Sequence, residues 1–289
     1  MGRAAATVLA GVLAVAAVPA AVAETPPRRI VSMNVCTDQF VLLLADRAQI
    51  AGLGRTADDP HNSAYFERAA GLPKHRARAE EVLALKPDLV VTGGYARRQT
   101  NEMLERLKVP MLRLGTLAGI ADIPAEIRRA ATAFGHPERG EEMAAAFEAR
   151  LARIVPPPDA PRPSTVVWRQ GGYVPGKGWI VNDVLTAAGF DNLAARLTLR
   201  PGGQLPLETL VMSAPDVIVQ DSRHDDRPTL SRELVAHPAL ARMGGVPVLD
   251  VPLRWWLCST PAVVDAAETL AEVRAGMVAD TSAGMRKAP

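Results

Sequence analysis

Two segments of the chain share one plan. Residues 80–94 read EEVLALKPDLVVTGG and residues 207–221 read LETLVMSAPDVIVQD. In each, apolar residues at helical spacing lead to a Pro-Asp and then to a short β-branched or leucine run. Proline ends the helix, because it has no amide hydrogen and its ring clashes with the preceding turn. The unbroken apolar run has the pattern of a strand buried on both faces of a parallel sheet. A unit of this kind occurring twice divides the chain into two lobes of similar design.

Other segments pair in the same order. RRIVSMN (28–34) and STVVWRQ (164–170) read as opening strands, and LKVPMLRLG (107–115) and GGVPVLDVP (244–252) as later ones. Each opening strand leads through a loop to a helix, TDQFVLLLADR in the first lobe and IVNDVLTAAG in the second. The fold class expected is α/β: two lobes with mainly parallel sheets, with one long helix as the main crossing between them. The expected boundaries are 24–121 for the first lobe, 122–157 for a helical connector and 158–279 for the second lobe, with 280–289 a disordered tail. In the connector, Asp122 is placed to cap a helix ending at Gly135, and Pro137 opens a second helix running to about Val155. The proline-rich run from Pro156 to Pro163 reads as a stiff extended link.

The first 23 residues have the order of a secretory signal peptide: an arginine, an apolar run from Ala4 to Val18, and Ala21-Val22-Ala23 before Glu24. The apolar run is short for a bilayer span of about 20 residues. The expected location is the periplasm, as a soluble exported protein. The formal net charge is +2 and the basic residues are scattered among acids, so nothing points to nucleic acid as a partner. An oxidising compartment permits one disulfide between the only two cysteines, Cys36 and Cys258.

In open parallel sheets, ligands bind beyond the carboxyl ends of the strands. Applied to the predicted strands, the rule selects loops 33–37, 53–60 and 92–98 in the first lobe and 169–179, 221–227 and 253–260 in the second. The candidate ligand-binding residues there are Asn34, Cys36, Arg55, Tyr95, Arg97, Arg169, Tyr173, Trp255, Trp256 and Cys258. The chain has only 12 aromatic residues, yet five (Tyr95, Tyr173, Trp179, Trp255 and Trp256) fall in these loops, as a flat or bulky apolar ligand would require. The arginines, with Arg254, suit ligand carboxylates or the negative charge of a chelate. Tyr95 oxygen also suits ferric haem, and His61 is a weaker axial candidate. The glycines of GGYVPGKG (171–178) read as a flexible lip. Cys36 stands before Thr37, read as a helix cap, and Cys258 before Ser259-Thr260-Pro261. Both thiols therefore face the cleft, one from each lobe, either as a disulfide, which needs Cα atoms about 4.4–6.8 Å apart, or as free thiols or thiolates meeting a metal. No structural metal site and no intrinsic cofactor is expected. G-x-S-x-G, H-E-x-x-H and C-x-x-C are all absent, so no enzyme activity is expected; a thiol-redox or metal-handling protein using the cleft cysteines is the alternative.

RRIVSMNVCTDQFVLLLADRAQIAGLG, EEVLALKPDLVV and GKGWIVNDVLTAAGFDNLA, in this order around the long connector helix, resemble the substrate-binding proteins of ABC importers for ferric siderophores, haem and cobalamin. The resemblance implies two lobes bridged by a rigid helix with a ligand cleft between them, and a binding protein that captures a metal chelate and delivers it to a membrane permease driven by an ATPase; the chain is expected to be a monomer. It further implies an acidic docking residue on each lobe. Glu102 is the first-lobe candidate, because Arg97 and Arg98 occupy the positions nearest the repeat strand; Glu233 is the second-lobe candidate, with Asp225 and Asp226 beside it.

Overall fold

A computed structural model describes residues 25–94, 96–115, 117, 119–197, 203–220, 238 and 246–285. The strands are β1 (Ile30–Ser32), β2 (Ile50–Gly54), β3 (Lys74–His75), β4 (Leu89–Thr92) and β5 (Met111–Arg113), then β6 (Ser164–Val167), β7 (Asp191–Asn192), β8 (Val217–Gln220) and β9 (Val248–Asp250). The helices are α1 (Val35–Leu44), α2 (Ala79–Ala84), α3 (Arg98–Arg106), α4 (Ile123–Phe134), α5 (Pro137–Ile154), α6 (Ile180–Ala187), α7 (Leu193–Arg196), α8 (Leu207–Ser213), α9 (Leu253–Trp256) and α10 (Val263–Met285). Among the described residues the strands build two separate sheets, one of five strands in the order β3-β2-β1-β4-β5 and one of four in the order β7-β6-β8-β9. Every pairing within them is parallel.

The two Pro-Asp units hold equivalent places. Leu89–Thr92 and Val217–Gln220 each lie beside the opening strand of their sheet. The aspartates also act alike: Asp88 accepts hydrogen bonds from the amides of Arg28 and Arg29, and Asp216 accepts from the amide and hydroxyl of Ser164. Each Pro-Asp thus pins the start of the opening strand while the proline ends the preceding helix.

Alternation along the strands divides the core. Ile30 and Val91 of the first sheet, and Val167, Val217 and Val219 of the second, all join one continuous cluster with Phe40, Val41, Phe134, Phe147, Trp256 and Val263. Their strand neighbours Val31 and Val90, or Val166 and Ile218, pack in two separate outer clusters. The inner faces of both sheets therefore share a single core, and separating the halves would expose it at about 25 cal/mol per Å2 of apolar surface.

The connector is a helical hairpin. Gly135 takes a left-handed conformation (φ 86°) that stops α4, and Pro137 starts α5, which at about 1.5 Å per residue is roughly 27 Å long. Asp122 stands at the N-cap position, but its carboxylate accepts from the Gly119 amide rather than capping α4. Gly140 lets α5 approach α4 closely, since a Cβ there would lie 2.4 Å from the Ala131 Cβ. Arg150 of α5 then ties the connector to α10 through Asp265 and Glu268. Among the described residues no helix is long and apolar enough to cross a membrane. The expected signal peptide lies outside the described residues.

Candidate ligand-binding cleft

The cleft opens where the carboxyl ends of both sheets face each other. It encloses about 880 Å3 of space, its open mouth included. The first half contributes the start of α1, Gly93 and Gly94 beyond β4, and Leu114, Gly115 and Leu117 beyond β5; the second contributes Arg169 beyond β6, the start of α6, and residues 256–259. The parallel registers account for this, because all strands of each sheet end on the same side.

Cys36 and Cys258 form a disulfide, with Cα atoms 5.3 Å apart, and both line the cleft. The free-thiol alternative is therefore replaced by a covalent link between the halves. Asn34, not Thr37, is the N-cap of α1: its side-chain oxygen accepts from the amides of Cys36 (3.0 Å) and Thr37 (3.1 Å). Thr37 completes a capping box by accepting from the Asn34 amide. Cys36 is consequently the second residue of the helix, and Phe40, one turn on, lines the cleft below it. One turn of α1 further into the protein, Gln39 accepts a hydrogen bond from the Thr260 hydroxyl at 3.2 Å.

The second half supplies the charged and aromatic wall. The Arg169 guanidinium lies 5.9 Å from the centre of the Tyr173 ring. Tyr173 in turn meets Trp179 edge-to-face, ring centres 6.0 Å apart, an arrangement favoured by the aromatic quadrupole. Arg169 and Trp179 line the cleft, whereas Tyr173 stands behind them. The start of the 171–178 segment is anchored: Leu205 donates to the Gly172 carbonyl, Val174 to that of Gly203, and Tyr173 forms a bridge with Gln204. Gly172 is required at this turn, since its φ is +74° and a Cβ would meet the Leu205 carbonyl oxygen at 2.8 Å.

Of the sequence candidates, Asn34, Cys36, Arg169, Trp256 and Cys258 line this cleft. Trp256 is 1% exposed and belongs mainly to the shared core. Tyr173, Trp255, Arg55 and Arg97 are not among the lining residues. Arg55 and Arg97 are exposed at the end of β2 and the start of α3. Trp255 packs under Arg254 (5.9 Å), whose guanidinium donates to the Pro60 carbonyl at 3.3 Å and so bridges the halves. His61 also stands outside the cleft lining; its amide donates to Asp59. Tyr95, Asp225, Asp226 and Glu233 lie outside the described residues. Glu102 is ion-paired with Arg98 on α3, on the rim beyond β4 and β5, and the pairing holds its carboxyl below the usual carboxylate range. Among the described residues no group of three or more His, Cys, Asp or Glu could hold a metal ion.

Sequence reasoning missed Phe40 and the 114–117 segment. The i, i+4 spacing from Cys36 marks Phe40, and applying the strand-end rule to β5 marks Leu114, Gly115 and Leu117. Beneath the cleft floor, Asp38 is fully buried and accepts from the Gly54 amide at 3.0 Å. Burial pushes its carboxyl up to about 7, against the lowering effect of that hydrogen bond.

Residues 30–246 match the family model for periplasmic binding proteins. A cobalamin-binding protein of Halobacterium salinarum is 26% identical over 228 residues, 76% of this chain, and the match spans 60% of that longer protein. A vitamin B12-binding protein of Pectobacterium carotovorum is 24% identical over 250 residues, 84% of this chain and 87% of the relative. Among solved structures, the apo form of a periplasmic haem-binding protein of Roseiflexus sp. RS-1 superposes with a TM-score of 0.66 over 86% of this chain and 99% of that one, at 23% identity; a likeness at that identity speaks for the fold alone.

Proposed function

The chain belongs to the periplasmic binding protein family, and on that premise we propose that its cleft captures a metal chelate of the cobalamin, haem or ferric-siderophore class and delivers it to an ABC permease driven by its ATPase. The observation that carries this reading is the composition of the cleft. Phe40, Leu114, Trp179 and Trp256 supply apolar surface, and Arg169 stands at its edge. A bulky chelate buries its rings against the aromatic wall and turns its acidic or amide periphery toward Arg169, whose forked donors suit carboxylates. Asn34 uses its side-chain oxygen to cap α1 and offers its amide nitrogen to the ligand. Tyr173 contributes by holding Arg169 and Trp179 in place.

Cobalamin is the first ligand to test, because the relatives above carry it in their names. The shared core and the 18-residue α5 favour small relative movements of the halves, so release would depend on contact with the permease. Glu102 is the docking residue proposed on the first half. Cleavage of the signal peptide after Ala23 is proposed to deliver the mature chain to the periplasm, where we propose that it acts as a monomer. The test is native mass spectrometry and visible absorption of the protein isolated from its own periplasm. A bound species with the mass and spectrum of a metal chelate supports the reading; a colourless ligand without metal, such as an amino acid or sugar, sinks it.

A further inference from the structure

We propose that the Cys36–Cys258 disulfide is a thiol-exchange site that opens through the cleft and latches it. The inference rests on reading the cleft as the ligand site and concerns its regulation. Three observations carry it. The disulfide is a covalent link between the two halves, and both of its residues belong to the cleft wall. Its two ends differ in access: Cys258 is 3% exposed, whereas Cys36, at the start of α1, is only half-buried. The polar contact beside it, Gln39 with Thr260, is one neutral hydrogen bond, worth only about 1 kcal/mol net.

An incoming thiolate therefore attacks the sulfur of Cys36. The Cys36–Cys258 bond breaks, a mixed disulfide forms on Cys36, and Cys258 sulfur departs as a thiolate and takes up a proton. With a dithiol as reductant, its second thiol then attacks its own sulfur in the mixed disulfide, releasing Cys36 as a thiol. The dithiol leaves as a disulfide, oxidised by the two electrons that reduce the protein. Because the route runs through the cleft, a bound ligand covers the sulfur, and ligand and reductant exclude each other. The oxidised protein holds the cleft walls at a set separation; the reduced protein lets them part.

The test uses the full mature chain and needs no ligand, so that failure of cobalamin, haem or a siderophore to bind would sink the functional reading and leave this result standing. The oxidised protein is pulsed with glutathione, quenched with acid, alkylated in denaturant and mapped by peptide mass. Glutathione on Cys36 with alkylated Cys258 is expected; glutathione on Cys258, or equally on both, overturns the directional access. In parallel, amide hydrogen exchange is compared before and after reduction with dithiothreitol. Exchange at the hydrogen-bonded amides of Leu114 and Leu257, on the two walls of the cleft, is expected to quicken about tenfold, corresponding to about 1.4 kcal/mol of lost protection. Unchanged exchange there in fully reduced protein overturns the latch.

Discussion

Thr260 donates its hydroxyl hydrogen to the Gln39 side-chain oxygen across the two halves of the molecule, both residues being buried and 221 positions apart. The amide nitrogen of Gln39 has no partner among the described residues, so there this one bond satisfies half of a buried amide. Thr260→Val removes the donor and leaves the oxygen stranded, which should cost about 1–3 kcal/mol. Adding Gln39→Met should recover much of that loss, because an apolar pair then replaces a broken polar one. Denaturant midpoints of the two single variants and the double variant check this. Strict additivity would show that the two side chains do not depend on each other.

Gly140 sets the spacing of the connector hairpin. Gly140→Ala places a methyl group against Ala131 and should destabilise the protein by about 1–3 kcal/mol through overpacking. The gain in helix propensity, about 1 kcal/mol, opposes this without exceeding it. A raised melting temperature would mean that α4 and α5 can separate freely.

Asp38 makes stability depend on pH in a defined direction. Its folded-state pKa, about 7, lies above the ordinary 3.8, so between those values the folded chain holds more protons than the unfolded one. Stability from this group is full below pH 4 and declines as pH rises through 7. His75, also buried, has its pKa lowered by burial, so its contribution runs the other way, being lost as pH falls below its ordinary value of 6.5. The difference between wild type and Asp38→Asn isolates the carboxyl. The advantage of the Asn variant should grow from pH 4 to pH 7 in urea unfolding; a constant difference would place the Asp38 pKa near its ordinary value.

Among the aromatic residues, Trp179 gives the cleanest binding test. It is half-buried in the cleft wall, so Trp179→Ala should weaken ligand binding about thirtyfold, roughly 2 kcal/mol, with a smaller effect on stability. Trp256→Ala should instead cost about 3–5 kcal/mol in folding, as a core residue. Trp255→Ala should leave affinity within about threefold of wild type, since its ring packs under Arg254 outside the cleft lining. Titrations alongside melting curves separate the three.

The principal strands were legible because each is an apolar run next to punctuation: Leu89–Thr92 and Val217–Gln220 follow a Pro-Asp, and Ile30–Ser32 follows two arginines. The two-residue edge strands Lys74–His75 and Asp191–Asn192 carry no such pattern and appear only through pairing. At the start of α1, both Asn34 and Thr37 are capping residue types. Which one caps is decided by reciprocal hydrogen bonds, not by composition. Cys36 and Cys258 could be assigned to opposing sides of the cleft from strand ends alone, but their bonding depends on the spacing of the two halves, which long-range packing determines. Trp255 and Trp256 show the limit most clearly. Adjacent residues on α9 point about 100° apart, so Trp256 is fully buried in the core while Trp255 packs against its edge under Arg254, and no local signal distinguishes them.

One metal chelate is predicted to bind in the cleft whose second-half wall carries Trp179 and Arg169. Equilibrium titration of oxidised, ligand-stripped protein with cyanocobalamin, haemin and ferrichrome, followed by tryptophan quenching and calorimetry, tests it most directly. Saturable one-to-one binding of one of the three is predicted, with a Kd of about 1 μM or tighter, about −8 kcal/mol. Arg169→Ala should raise that Kd at least tenfold, about 1.4 kcal/mol. No saturation by any of the three up to roughly 100 μM, or binding that Arg169→Ala and Trp179→Ala both leave unchanged, would contradict the account.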